Sequence, residues 1–187
     1  DRHFGVGADG ILLALPSKKA DCMMRIINAD GSEAEMSGNG IRCVARFVLD
    51  SRHPGRKQLS VETLSGIKKI IASGGMFRVD MGKPGLMRKD IPMAGKPDSR
   101  AINEPLQLNY KLIRITAVSV GNPHAVLFVD DLDFDIEELG REIENHPAFT
   151  NRINAEFVHV LGRDEFELDT WERGVGLTLA CGTGACA

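Results

Sequence analysis

Residues 35–50 read EMSGNGIRCVARFVLD. Ile41, Val44, Ala45 and Val48 recur at the i, i+3, i+4 and i+7 spacing of an amphipathic helix, with Arg42 and Arg46 on another face. Ser37, Gly38 and Asn39 then stand at its N-terminus. Gly-Asn-Gly suits a tight turn, because glycine supplies positive φ and asparagine tolerates it. The far end of the chain repeats the pattern: residues 180–187 read ACGTGACA. Aligning the two stretches puts Ser37 on Cys181, Gly38 on Gly182, Asn39 on Thr183 and Gly40 on Gly184. One loop carries a hydroxyl where the other carries a thiol.

Each loop closes a run of strand-like sequence. DCMMRIINADGS (21–32) reads as a strand entering a turn at Asp30-Gly31. QLSVETLSGIKKIIASGGMFRVDMG (58–82) breaks into short β-branched runs at Ser-Gly and Gly-Gly, as an antiparallel meander does. KPGLMRKDIPMAGKPDSRAINEP (83–105) is rich in Pro, Gly and charge and reads as a connection between two units. Strands resume in KLIRITAVSV (111–120) and HAVLFVD (124–130). DFDIEELGREIENHP (133–147) predicts a helix, with Ile136, Leu139 and Ile143 on one face and acidic residues in the first turn. AEFVHVLG (155–162) and FELDTWERGVG (166–176) lead into the Cys181 loop. The expected organisation is two similar α/β domains, residues 1–80 and 81–187, related by a distant duplication. The chain opens without methionine and stops just after the second loop, so a partial chain is expected.

With 187 residues, 43% hydrophobic and 26% charged, the composition is that of a soluble globular protein. A formal charge of -3 with scattered basic residues implies no nucleic-acid partner. No apolar run approaches the roughly 20 residues of a membrane span and no secretory leader is visible, so a cytoplasmic location is expected. The four cysteines do not form a disulfide framework, and two of them adjoin glycine-rich turns.

Gly5, Gly7 and Gly10 spell G-x-G-x-x-G with Asp30 about twenty residues on, as in a dinucleotide-binding fingerprint. The following ILLAL (11–15) reads as a strand rather than a phosphate-facing helix, which argues against that site. No C-x-x-C pair occurs, and His3, His53, His124, His146 and His159 lack metal-ligand spacing, so no metal is expected. The paired loops remain. A cysteine at a helix start favours thiolate over thiol. The N–H groups of such a turn can also hold a carboxylate. Two loops of this kind facing one carbon would supply an acid and a base on its opposite sides, the geometry that inverts an amino-acid α-carbon. The same residues equally suit small turn or buried positions, since free cysteine is often simply buried.

The segments DRHFGVGADG, NADGSEAEMSGNGIRC, GNPHAV, NAEFV and ERGVGLTLACGTGACA, in this order, resemble the diaminopimelate epimerases. The resemblance implies two pseudo-symmetric α+β domains, each a curved, mostly antiparallel sheet wrapped around a central helix, with the site in the cleft between them. It implies that LL- and meso-diaminopimelate are interconverted by two-base proton transfer without PLP or another cofactor, in lysine and peptidoglycan-precursor synthesis. Asn28, Asn122, Asn154, Glu172 and Arg173 fall on substrate-binding positions, with Arg173 at the distal end of the substrate. The N–H groups of Gly38, Asn39, Gly182 and Thr183 would cradle the α-carboxylate. His124 and Glu172 match groups near the reacting carbon; otherwise they are a satisfied buried histidine and a strand glutamate. Relatives of this kind suggest a homodimer. A further substrate-binding Asn would precede Asp1, and the helix after Cys181 would continue past Ala187.

Ser37 departs from the family pattern, which has the first catalytic cysteine there. A thiol starts near ~8.5, an aliphatic hydroxyl several units higher, and each unit costs about 1.4 kcal/mol. Serine would be a poor base, so the site is expected to be lopsided: inversion impaired, with α-proton exchange retained on the Cys181 side. Either a deliberate substitution or natural divergence accounts for the serine. The alternatives are a proline-type racemase or hydroxyproline dehydratase, and an inactive amino-acid-binding relative.

Overall fold

The computed structural model of the chain describes residues 5–187; Asp1–Phe4, where the DRHFGVGADG match begins, lie outside the described residues. The chain divides after Lys83 into two units. Each is α+β, built on one six-stranded sheet with a single parallel pair.

The first unit contains β1 (Gly10–Leu15), β2 (Cys22–Asn28), β3 (Glu33–Ala34), α1 (Gly38–Arg52), β4 (Gln58–Thr63), β5 (Gly66–Ser73) and β6 (Met76–Asp80). ILLAL is indeed a strand, β1. The strand order is β1-β2-β4-β5-β6, with β3 on β2. Only β2 and β4 run parallel, because α1 carries the chain across the sheet between them. The core follows from two periodicities. Cys22, Met24 and Ile26 alternate along β2, Leu59 and Val61 along β4, and Ile41, Val44, Ala45 and Val48 form the inner face of α1. Arg42 and Arg46 stay exposed. Burying each large apolar side chain of α1 contributes roughly 1.5–3 kcal/mol, which fixes the helix and therefore Ser37 at its head.

The second unit contains β7 (Glu104–Gln107), β8 (Leu112–Ser119), β9 (Pro123–Val129), α2 (Ile136–Glu144), β10 (Asn154–Gly162), β11 (Glu165–Glu172) and β12 (Gly176–Thr178), in sheet order β12-β11-β10-β9-β8-β7. Here α2 is the crossover, and β9 and β10 are the parallel pair. Asp135 caps α2 by accepting from the N–H of Glu138. Leu139 and Ile143 press against Ala155, Phe157 and Trp171 on the sheet.

One expectation changes. The stretch 83–105 is not a connection: past Lys83 it belongs to the second unit, where Ile91, Met93 and Ala101 enter the core. Arg88 fastens it by donating to Ala94 O (3.0 Å) and Ser99 Oγ (3.1 Å) and pairing with Glu104 (2.8 Å). Its prolines and glycines shape turns around buried side chains rather than an exposed tether. The helix packed in the second unit is α2, which precedes the Cys181 loop, and Gly184–Cys186 after that loop form a 3-10 turn. No helix of the described residues is long and apolar enough to cross a membrane.

Candidate active site

In the first unit Ser37 is the N-cap of α1. Its backbone is extended (φ -141°, ψ 120°), its Oγ accepts from the N–H of Gly40 (3.0 Å), and its carbonyl accepts from Ile41 (3.0 Å). Helix geometry directs the first-turn N–H groups outward from this end. A side chain at position 40 would press on Leu12 and on Ser37 itself, at 2.9 and 3.1 Å, so glycine keeps the cap tight. Asn28 ends β2, where its side chain donates to Ser32 Oγ (3.2 Å) and its carbonyl accepts from Gly31 in the Asp30-Gly31 turn.

The Cys181 loop makes the same two bonds with different chemistry. Cys181 Sγ accepts from the N–H of Gly184 (3.2 Å), and its carbonyl accepts from Ala185 (3.0 Å). Positions aligned by sequence as 37 with 181 and 40 with 184 therefore share their local hydrogen bonding. The thiol is buried, and Thr183 Oγ1 lies 3.3 Å from the sulfur.

The remaining candidates of the second unit gather at one end of its sheet, for a topological reason. Parallel strands β9 and β10 both begin there and antiparallel β11 ends there. Asn122, His124, Asn154, Glu172 and Arg173 are thus brought to one edge. Asn154 ties the three strand ends together, donating to Pro123 O and accepting from the N–H of Arg173, each at 2.8 Å. The Arg173 guanidinium donates to Asn151 O (3.0 Å), and Glu172 accepts from Thr178 Oγ1 (2.8 Å). Thr183 is buried beside Asn122, which donates to it over 3.1 Å, and Gly182 is half-buried between Thr183 and the thiol-bearing residue.

His124 is fully buried, with both ring nitrogens engaged: Nε2 with Asn122 Oδ1 (3.1 Å) and Nδ1 with Glu156 Oε1 (2.7 Å). Glu156 is the residue that sequence reading missed. It lies inside NAEFV, fully buried, and also accepts from Thr170 Oγ1 (2.6 Å). A lone carboxylate between Ala155 and Phe157 in a buried strand was the available signal, since such groups are rare unless paired.

The thiol is not poised as a thiolate. Burial pushes Cys181 up to about 12, Glu172 and then Glu156 add to this, and the hydrogen bonds of Thr183 and Gly184 only partly oppose it. A helix start alone would favour thiolate, but here the dry setting and the two carboxylates outweigh the hydrogen bonds of Thr183 and Gly184. What the loop offers is a thiol that keeps its proton, aimed by two neighbours.

The chain matches the family model described as diaminopimelate epimerase over residues 1–87 and 116–187. It is 53% identical to the diaminopimelate epimerase of Pelotomaculum thermopropionicum over 193 residues, covering 100% of this chain and 69% of that protein. It is 53% identical to that of Carboxydothermus hydrogenoformans over 189 residues, covering 100% and 68%. Among solved structures, a hydroxyproline epimerase from Agrobacterium vitis superposes with TM-score 0.69 at 18% identity, over 94% of this chain and 57% of that one. A probable proline racemase from Agrobacterium radiobacter gives TM-score 0.69 at 18% identity, over 95% and 58%. At that identity the two structures share the fold alone.

Proposed function

The chain belongs to the diaminopimelate epimerase family, and on that premise we propose that it acts on LL- and meso-diaminopimelate, moving the α-proton without a cofactor. Cys181 serves one face of the α-carbon and Ser37 the other. The observation that carries this reading is the shared hydrogen bonding of the two aligned loops, thiol in one and hydroxyl in the other. Amides of Gly38, Asn39, Gly182 and Thr183 take the α-carboxylate, as N-terminal turns take anions. Asn28, Asn122, Asn154, Glu172 and Arg173 hold the rest of the substrate, with Glu172 also beside the reacting centre. His124 acts from behind Asn122. The reaction belongs to amino-acid biosynthesis, for which a cytoplasmic location and a homodimer are the working assignments.

The two directions are unequal. With the Cys181 thiol as acid, the base must be an alkoxide at Ser37, several pKa units out of reach. With Cys181 as base, a thiolate must first form in a site that resists it. Inversion, which needs both groups, is therefore slow, while exchange on the Cys181 face needs the Cys181 thiolate alone and survives at a reduced rate. The test follows deuterium uptake and inversion separately for LL- and meso-diaminopimelate in heavy water, with the protein as it stands and with Ser37→Cys. Exchange of one stereoisomer, and inversion gained by orders of magnitude in Ser37→Cys, are expected. Full-speed inversion with serine in place, or no exchange and no binding in either form, overturns the reading. Proline and trans-4-hydroxyproline in the same assay test the proline-type alternative, for which only the shared fold speaks.

A further inference from the structure

We propose that Glu144, the last residue of α2, is the positioning residue for Arg173: it holds the turn that carries Arg173 and the loop that receives its guanidinium, and so sets the preference for a substrate with a distal carboxylate. The proposal rests on the reading of Arg173 as the group at the distal end of the substrate and extends it to a residue that does not touch the substrate.

Glu144 is buried, and three donors meet its two oxygens. Trp171 Nε1 donates to Oε2 (2.7 Å), while the N–H of Gly174 (2.9 Å) and the Arg152 guanidinium (2.8 Å) both donate to Oε1. Trp171 and Gly174 bracket Glu172 and Arg173 in the sequence, so one carboxylate grips that pair from both sides. Arg152 follows Asn151, whose carbonyl accepts from the Arg173 guanidinium (3.0 Å). The backbone and the tip of Arg173 are thus referred to one point. Asn154 accepts the Arg173 N–H, which fixes the backbone but not where the guanidinium lies. The two residues on Oε1 also share an unusual conformation: Arg152 (φ 57°) and Gly174 (φ 74°) are both left-handed. A residue with a side chain keeps that conformation where its surroundings hold it, and the bond from Arg152 to Glu144 is such a hold.

The chemistry of the partners makes a carboxylate necessary. An indole N–H, a backbone N–H and a guanidinium are donors alone. Glutamine therefore cannot stand in for Glu144, whichever way its amide is turned. With its oxygen on Gly174 and Arg152, its amide N–H groups confront the Trp171 N–H; turned over, they confront both donors of Oε1. A role limited to fastening α2 onto the sheet gives a different expectation, because its loss would loosen the second unit evenly.

The first measurement uses no substrate. Brief exposure to phenylglyoxal, read by mass spectrometry of the arginine peptides, compares Arg173 with Arg88 in the full chain and in Glu144→Gln. Both arginines are 9% exposed, and Arg88 is anchored elsewhere in the same unit by Ala94, Ser99 and Glu104. Glu144→Gln should speed modification of Arg173 about tenfold and leave Arg88 unchanged. No change at Arg173, or an equal rise at both, overturns the proposal. Should Glu144→Gln not fold, Arg152→Ala decides, since it gives up the partly exposed ion pair and leaves Trp171 and Gly174 on the carboxylate. Faster modification of Arg173 alone is then expected, and an unchanged rate overturns the proposal. The second measurement is calorimetric binding of meso-diaminopimelate and of lysine, the same molecule without the distal carboxylate. The preference for meso-diaminopimelate should fall about tenfold in Glu144→Gln, and should fall no further when Glu144→Gln is added to Arg173→Ala. Equal weakening of both ligands, or losses that multiply in the double variant, overturns the proposal. A preference that survives Arg173→Ala would sink the substrate role given to Arg173, while the phenylglyoxal comparison would still judge Glu144.

Discussion

Gly184→Ala and Gly40→Ala place the same methyl group at aligned positions of the two loops, and they should differ sharply in cost. At position 184 a Cβ would lie 2.4 Å from Glu156 Oε2, 2.5 Å from its Cδ and 2.6 Å from Oε1. That carboxylate cannot retreat without giving up His124 or Thr170. Overpacking of this kind costs about 1–3 kcal/mol, and losing a buried hydrogen bond adds about 1–3 kcal/mol, so about 3 kcal/mol is expected. At position 40 the nearest atom is the terminal Cδ2 of Leu12 at 2.9 Å, which can swing aside. Helix propensity favours alanine there by up to about 1 kcal/mol, which offsets most of the overlap. Urea unfolding followed by Trp171, the sole tryptophan and a member of the second unit, reads the first variant; ellipticity at the helix band reads the second. With an m-value of about 2 kcal/mol/M, Gly184→Ala should lower the midpoint by about 1.5 M. A Gly184→Ala midpoint equal to that of the unaltered protein, or Gly40→Ala the more damaging of the two, would refute the packing argument.

Glu144 in α2 accepts from Trp171 Nε1 (2.7 Å), Arg152 (2.8 Å) and the N–H of Gly174 (2.9 Å). Glu144→Ala should cost about 3 kcal/mol in the same urea assay, because the buried Trp171 N–H is left without that acceptor and the half-buried Gly174 N–H and Arg152 lose it too. Ser37→Ala removes the α1 cap and should cost about 1 kcal/mol in helix-band melting. Because the folded Cys181 thiol is pushed up to about 12, its alkylation rate should still be climbing at about pH 11 with no plateau near neutrality. A plateau below about pH 9 would mean that the site stabilises thiolate after all.

The two loops and the helix α1 were readable because their determinants are local. The spacing of Ile41, Val44 and Val48 and the cap at Ser37 each involve residues within two turns of one another. The strands were readable where apolar alternation is clean, as in Cys22, Met24 and Ile26. Glu156 was not, because its partners come from β9 and β11 and depend on the parallel register of β9 with β10, which no local pattern encodes. Nor was the state of Cys181. Local sequence announces a turn and its amides, whereas the desolvation that governs the thiol comes from folding the whole unit around it. The stretch from Pro84 onward misled for a related reason: Ile91, Met93 and Ala101 are buried at irregular spacing, so neither helical nor strand periodicity marks them.

That stretch has a practical bearing on any attempt to sever the chain and handle its halves apart. Composition invites a cut among the prolines and glycines near residue 97, yet a break there would strip the second half of the Ile91 and Met93 side chains and of the bridges from Gly85 to Ser119 and Met93 to Phe149. The seam lies upstream, at Lys83. The second half thus begins with a belt of irregular backbone that it cannot spare.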